Sequence, residues 1–227
     1  MDARARSRAV CLTLLHYKRN ITIVMDAGRS HAHAKGRGGT EQKDGSHSRI
    51  QSAAARVVRR DGLRGASVRK VMAAAGLTGG GFYGHFPSKE KLLQEAFSWA
   101  LHERRRLLAK MVGNVRGPAF MESFLRAYLT PEHRDNVQTG CPYAALLSEL
   151  PRASRSVRAR VREEYAKGVE GFVDRLGGRA RTENRRKAIL ALCLAFGALA
   201  MSRTLAGSPE ADELLEVAAT ASKYWRV

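Results

Sequence analysis

An all-α fold is the class this sequence predicts, and three observations predict it. Apolar residues return at intervals of three and four along most of the chain after Ser48. The segments so marked open on Ser, Thr or X-Pro pairs and close on Gly or Pro. No run alternates apolar and polar residues with the period of two that a half-buried strand requires. The 227 residues suit one large domain or a small head with a larger body. We expect a basic tail over 1–47, a helix-turn-helix head over 48–92 and a helical body over 93–227.

Gly, Ser, His, Lys and Arg dominate Gly28 to Ser48, a composition that favours disorder. Ala9 to Leu15 follows Arg4, Arg6 and Arg8 and mimics a signal peptide. The apolar run is short and lacks an A-x-A site, so export is not expected. Met25 is the expected start, with residues 1–24 upstream of it; the intact mass of natively expressed protein tests this. His31 and His33 are too few for a metal site, and basic tails of this kind can touch DNA.

In the head, Ile50, Ala53, Ala54, Val57 and Val58 form one face of an amphipathic helix. Gln51, Arg56, Arg59 and Arg60 are expected on the polar face. Gly62 suits a left-handed stop. Ser67 is a natural N-cap before Val68, Val71, Met72 and Ala75, and Gly76 ends that helix. Leu77 can plug the turn. Thr78 can cap a further short helix from Gly79 to about Phe86.

Two short helices joined by a Gly-containing turn form the helix-turn-helix pattern. Its second helix enters the major groove N-terminus first, here Thr78, Gly79, Gly80 and Gly81. Each Gly costs a helix roughly 1 kcal/mol against Ala. Close approach of free backbone N–H groups to a phosphate would compensate. Phe82 and Phe86 should face the core, leaving Tyr83 and His85 as phosphate donors. Lys89 stands at the positive end of the next helix, which makes sense opposite a phosphate. Gly79 to Gly84 also satisfies G-x-G-x-x-G, but a helix precedes it where a dinucleotide site needs a strand.

Ser48 to Leu101 resembles the TetR/AcrR family of transcriptional regulators. The resemblance is carried by Ala53-Ala54, Gly62, Ser67-Val68, Val71, Ala75-Gly76-Leu77-Thr78, Phe82-Tyr83, His85-Phe86 and Ser88-Lys89-Glu90-Lys91-Leu92. It implies a double-stranded DNA operator as partner and a small-molecule effector of unknown identity. It also implies that the effector moves the helix starting at Lys89 and so alters the spacing of two heads. Ser67 and Arg69 join Thr78, Gly79, Gly80, Gly81, Tyr83, His85 and Lys89 as the expected DNA-binding set. His133 to Arg152 resembles the body of a subgroup of the same family, more loosely.

Further helices are expected from Lys89 to beyond Leu108, around Phe120 to Leu129, and from Pro131 with Thr130 as cap. The next three run from Cys141-Pro142 to Leu150, from Arg152 to Leu176 and from about Thr182 to Leu205. A last one starts at Ser208-Pro209 and runs to about Trp225. Ile189 to Met201 is apolar all round; it is too short for a membrane span and is expected to be buried in protein. No membrane partner is expected.

The helices ending at Leu176 and Leu205 are the expected seam of a homodimer, since one short recognition helix gives little affinity. A ligand pocket is expected between the body helices, lined by Trp99, Phe124, Tyr128, Tyr143, Leu147 and Phe172, although aromatics at helical spacing commonly fill cores. Cys141 at a helix start is a candidate sensing thiol. Cys11, Cys141 and Cys193 show no metal-finger spacing, which points to a reducing cytoplasm.

Lys and Arg total 40 against 21 acidic residues, a formal charge of +19, which fits a polyanionic partner. No H-E-x-x-H, G-x-S-x-G or paired-metal carboxylate motif is present. No catalytic residue, metal or cofactor is therefore expected. A repressor released by a ligand is the leading expectation. The alternatives are an activator, an architectural or constitutive DNA-binding protein without a ligand, and a helical enzyme.

Overall fold

The computed structural model describes residues 38–224, with side chains from residue 45 onward. Cys11, Met25, His31, His33 and Trp225 lie outside the described residues. Contacts divide the chain between Gln42 and Lys43 into two units, and the larger, from Lys43 on, holds both the head and the body.

Helix α1 spans Gly38–Gly65 and so begins well ahead of Ser48, inside the stretch expected to be tail. Its geometry breaks at Gly62, with φ 77° and ψ 174°. Helix α2 is Val68–Ala74, capped by Ser67, whose hydroxyl accepts from Lys70 N at 3.2 Å. The turn comes at Gly76, φ 67°. The recognition segment is a 3-10 helix, Gly79–Gly84, rather than the longer helix expected to Phe86. Four of its six residues are Gly, which supply neither the low backbone entropy nor the side-chain contacts that extend an α-helix. Thr78 is extended and its side chain makes no cap bond, which corrects the expected capping role.

Ser88 opens α3, Lys89–Val112, by accepting from Lys91 N at 3.1 Å. The body continues with α4 (Pro118–Tyr128), α5 (Pro131–Asp135) and α6 (Pro142–Leu146). Thr130 caps α5 through His133 N at 3.1 Å. Helix α6 stops short of the expected Leu150, which instead opens a separate 3-10 turn, Leu150–Arg152. Helix α7 is Arg155–Leu176, starting at the Ser154 cap and not at Arg152. Helices α8 (Arg181–Thr204) and α9 (Pro209–Thr220) complete the bundle.

Helix α8 is the centre of the body, packing against α7 and α9 and the short α5 and α6, while α3 lies along α4 and α7. One buried cluster runs from Ile50, Met72 and Phe82 in the head through Phe97 and Leu101 on α3 to Tyr128 and Leu199. The head therefore has no core of its own that moves free of α3.

The expectation that α8 is buried all round is not met. Ala188, Ala191, Leu192, Ala195, Ala198, Leu199 and Ser202 face inward. Leu190 and Met201 are half exposed, and Cys193 and Gly197 between them are open as well. This is the one described helix long and apolar enough to cross a membrane. Its small-residue face lies inside the bundle.

Candidate functional site

The head presents donors around a bare backbone. Phe82 and Phe86 are buried and stacked, ring centroids 5.8 Å apart, and they fix the 3-10 helix to the core. Tyr83 sits edge-on to Phe82 and is 76% exposed. Arg69 is exposed and makes no hydrogen bond or ion pair among the described residues. Lys89 is half-buried at the first turn of α3. His85 is half-buried, with Nδ1 enclosed and lacking a hydrogen-bond partner. Its ring lies 6.3 Å from that of His47, which stacks on Phe86.

Gly79, Gly80 and Gly81 are exposed, and none has positive φ. A Cβ added at Gly79 or Gly80 would meet nothing within 4 Å, and at Gly81 only Met72 Cε at 4.0 Å. Nothing inside the described chain requires glycine there. Lys70 and Arg60 both hold Asp61, at 3.0 and 2.6 Å. Their hydrogen bonds keep its carboxyl well below the usual range.

Helix α1 is covered on two sides. Arg59, expected on the polar face, is 2% exposed. It donates from Nη1 to Gly140 O at 3.2 Å and from Nη2 to Glu103 at 3.1 Å. Burial lowers its pKa and the Glu103 carboxylate opposes the shift. The helical period identified the side of α1 facing α2 and α3; it could not identify a second side covered by distant residues. Below it, Glu149 Oε2 accepts from Leu63 N at 2.9 Å and Arg64 N at 3.4 Å. A Cβ on Gly62 would collide with Glu149 Oε1.

Gly140 leads directly into the body cavity. A Cβ there would lie 2.7 Å from Arg203 Nη2 and 3.1 Å from Asn136 O, so a side chain would have to push the Arg203 guanidinium aside and crowd the loop backbone. The next residue, Cys141, donates from N–H to His133 Nε2 at 2.9 Å. His133 Nδ1 donates to Tyr128 O at 2.7 Å, which fixes the tautomer. Arg104 Nη2 stands 2.9 Å from the same nitrogen. Burial first, and the Arg104 charge second, push the His133 pKa down to about 3, so the ring is neutral. Sequence reasoning gave His133 no role; its partners come from three separate segments.

The cavity has a volume of about 510 Å³. It brings together Phe124, Tyr128, Cys141, Tyr143 and Phe172, all expected to line a pocket. Trp99 and Leu147 lie elsewhere: Trp99 lines a separate groove with His102 and Glu95, and Leu147 is 47% exposed. Helix α8 adds Leu192 and Phe196 to the wall, which the spacing argument left out.

Residues 50–96 match the family model described as bacterial regulatory proteins, tetR family. No curated protein matches the chain in sequence. Among solved structures, a TetR transcriptional regulator from Chloroflexus aurantiacus J-10-FL is similar at 24% identity and a TM-score of 0.66, covering 81% of this chain and 96% of that one. A TetR-family regulator from Cytophaga hutchinsonii has 20% identity and the same score and coverage. The reduced form of E. coli NemR has 16% identity and a TM-score of 0.63, covering 79% of this chain and 96% of that one. The head thus matches the tetR-family model over residues 50–96, and the chain shares its helical fold with solved TetR-family regulators.

Proposed function

We propose that the chain is a cytoplasmic homodimeric repressor, released from a palindromic operator when a small molecule enters the body cavity. Ser67, Arg69, Thr78, Tyr83, His85 and Lys89 supply side-chain contacts to DNA. Gly79 to Gly81 bring main chain close to the duplex, which gives these glycines the purpose that internal packing does not. The net charge of +19 adds salt-sensitive attraction.

The observation that carries the release step is the joint at Gly140. Its carbonyl accepts from Arg59 of the head helix while Cys141, the next residue, lines the cavity and is tied to His133. A ligand that displaces Cys141 or His133 therefore pulls on α1 through one peptide unit. The continuous core along α3 transmits the same displacement toward the recognition segment.

A dimer is supported by the open side of α8. Leu190, Cys193, Gly197 and Met201 have the spacing of a helix seam and leave apolar surface uncovered. A two-fold copy would bury it and place two heads about 34–36 Å apart, one helical turn of DNA.

Footprinting across the DNA flanking the gene tests the reading. A short protected palindrome that clears when small-molecule extracts are added supports it. Uniform protection, unaffected by any extract, would favour a constitutive architectural binder instead.

A further inference from the structure

We infer that the body cavity takes an uncharged, largely apolar molecule built on aromatic rings. It enters past Gly168 and Gly171 of α7 and is held by shape and ring contacts rather than by an ion pair. This rests on reading the cavity as the effector site and names the chemistry of the effector.

The charged groups in the wall are already engaged with the chain itself. Arg105 donates to the Glu164 carboxylate at 2.8 Å and to the Glu164 carbonyl at 2.7 Å. Lys167 donates to Glu163 at 2.8 Å. Arg175 donates to Gly113 O at 2.6 Å and lies over the Phe120 ring, 5.1 Å from its centroid. Arg104 stands 2.9 Å from His133 Nδ1 and lies over the Tyr128 ring. Glu164, the one carboxylate among the lining residues, is held by Arg105 and lies 3.7 Å from Lys167. A ligand of either charge would have to shed its hydration and break one of these contacts to find a counter-charge. Burying a charge without such a partner is costly.

The uncharged polar groups are occupied or turned away. The Tyr128 hydroxyl is enclosed beside the Cys141 side chain. The Tyr143 hydroxyl donates to Val161 O at 3.1 Å. Tyr165 adds its ring, while its hydroxyl lies in the field of Cys193 and Arg185, neither of which lines the cavity. Phe172 meets Phe120 and Phe124 edge to face, centroids 5.0 and 4.5 Å away, and Tyr143 stacks on Phe196 at 4.7 Å. A ligand ring can continue this edge-to-face and stacked pattern. The volume of about 510 Å³ falls within the range of small-molecule sites, ~300–1,000 Å³.

The way in is marked by glycine. Gly168 and Gly171 both line the cavity from inside α7, where glycine is the least favourable residue after proline. Neither has positive φ. A Cβ at Gly171 would meet nothing within 4 Å, and one at Gly168 would meet only Arg105 Nη2 at an ordinary 3.5 Å. Packing within the described chain does not ask for glycine at either place. A gap in the α7 side of the wall does, and because Gly171 is exposed the gap opens to solvent.

Fluorescence titration of the purified full chain with N-phenyl-1-naphthylamine, an uncharged aromatic reporter, tests the assignment. Competitors of one skeleton then displace it: 4-methylbiphenyl, biphenyl-4-carboxylate and (biphenyl-4-ylmethyl)trimethylammonium. The uncharged biphenyl should displace the reporter at a concentration about tenfold or more below either charged one. Gly168→Leu and Gly171→Leu place a side chain in the gap. Each should raise the melting temperature, since leucine favours the helix, and at least one should weaken reporter binding by about fivefold or more. Should one variant fail to fold by circular dichroism, the other decides; should both fail, the displacement order decides alone. Either charged biphenyl displacing as well as the uncharged one, no reporter binding up to its solubility, or unchanged reporter affinity in every folded variant would each overturn the proposal. DNA anisotropy run in parallel separates the two readings. Binding of the uncharged biphenyl with no loss of DNA affinity keeps the ligand class and overturns ligand release; release by a charged biphenyl alone keeps release and overturns the uncharged class.

Discussion

Gly62 carries backbone geometry that only glycine adopts without strain, φ 77° and ψ 174°, and Glu149 occupies the place where a side chain would begin. Gly62→Ala should therefore lower unfolding free energy by about 1–3 kcal/mol, measured by urea denaturation; a loss below about 0.5 kcal/mol would show that the turn relaxes freely. His133 sets a pH dependence. Its folded pKa, about 3, lies below the unfolded value near 6.5, so the unfolded chain binds the extra proton between them. This contribution is complete above about pH 6.5 and is lost progressively as pH falls toward 3. His133→Gln, which can keep both hydrogen bonds, should flatten the fall in stability between pH 6.5 and 4.5. Identical slopes in the two proteins would remove His133 from the account.

At the scale of the element, the 3-10 helix separates stability from function. Gly79→Ala and Gly80→Ala meet no obstruction and no unfavourable φ, so each should stabilise the free protein by roughly 0.4–1 kcal/mol. If main chain approaches the duplex at these points, the same substitutions should weaken operator binding about tenfold. A higher melting temperature with unchanged DNA affinity would place the glycines outside the interface. Tyr83→Ala with Lys89→Ala should also reduce affinity and lower the salt dependence by about one ion.

The sequence made this element legible to different degrees. The Ser67 cap, the Gly76 turn and the buried Phe82-Phe86 pair come from local spacing and local chemistry. Arg59 could not be placed, because its burial depends on Gly140 and Glu103, far away in the chain. The 3-10 geometry of Gly79–Gly84 was equally hidden: glycine removes the local preference that decides between helix types. In the body, the aromatic spacing found Phe124, Tyr128, Tyr143 and Phe172 in the cavity wall and missed Phe120, Tyr165 and Phe196. It misplaced Leu147 because α6 ends at Leu146, and the exposed Leu190 and Met201 read as buried because an all-apolar stretch does not show which of its sides the rest of the chain covers.

For the whole molecule, the proposed dimer ties DNA binding to assembly. Leu190→Glu combined with Met201→Glu places charge on the open side of α8. Sedimentation should then show a monomer, and operator affinity should fall about a hundredfold or more as the second head is lost. A dimer of normal affinity would move the seam to another surface. The most direct test of the central claim, that two identical heads read one duplex through Thr78 to Phe86, is selection of bound duplexes from a random pool at physiological salt. The expected result is an inverted repeat whose half-site centres lie about 10–10.5 base pairs apart, or a multiple of that. Enrichment of no sequence, or of a single unrepeated site, would contradict it.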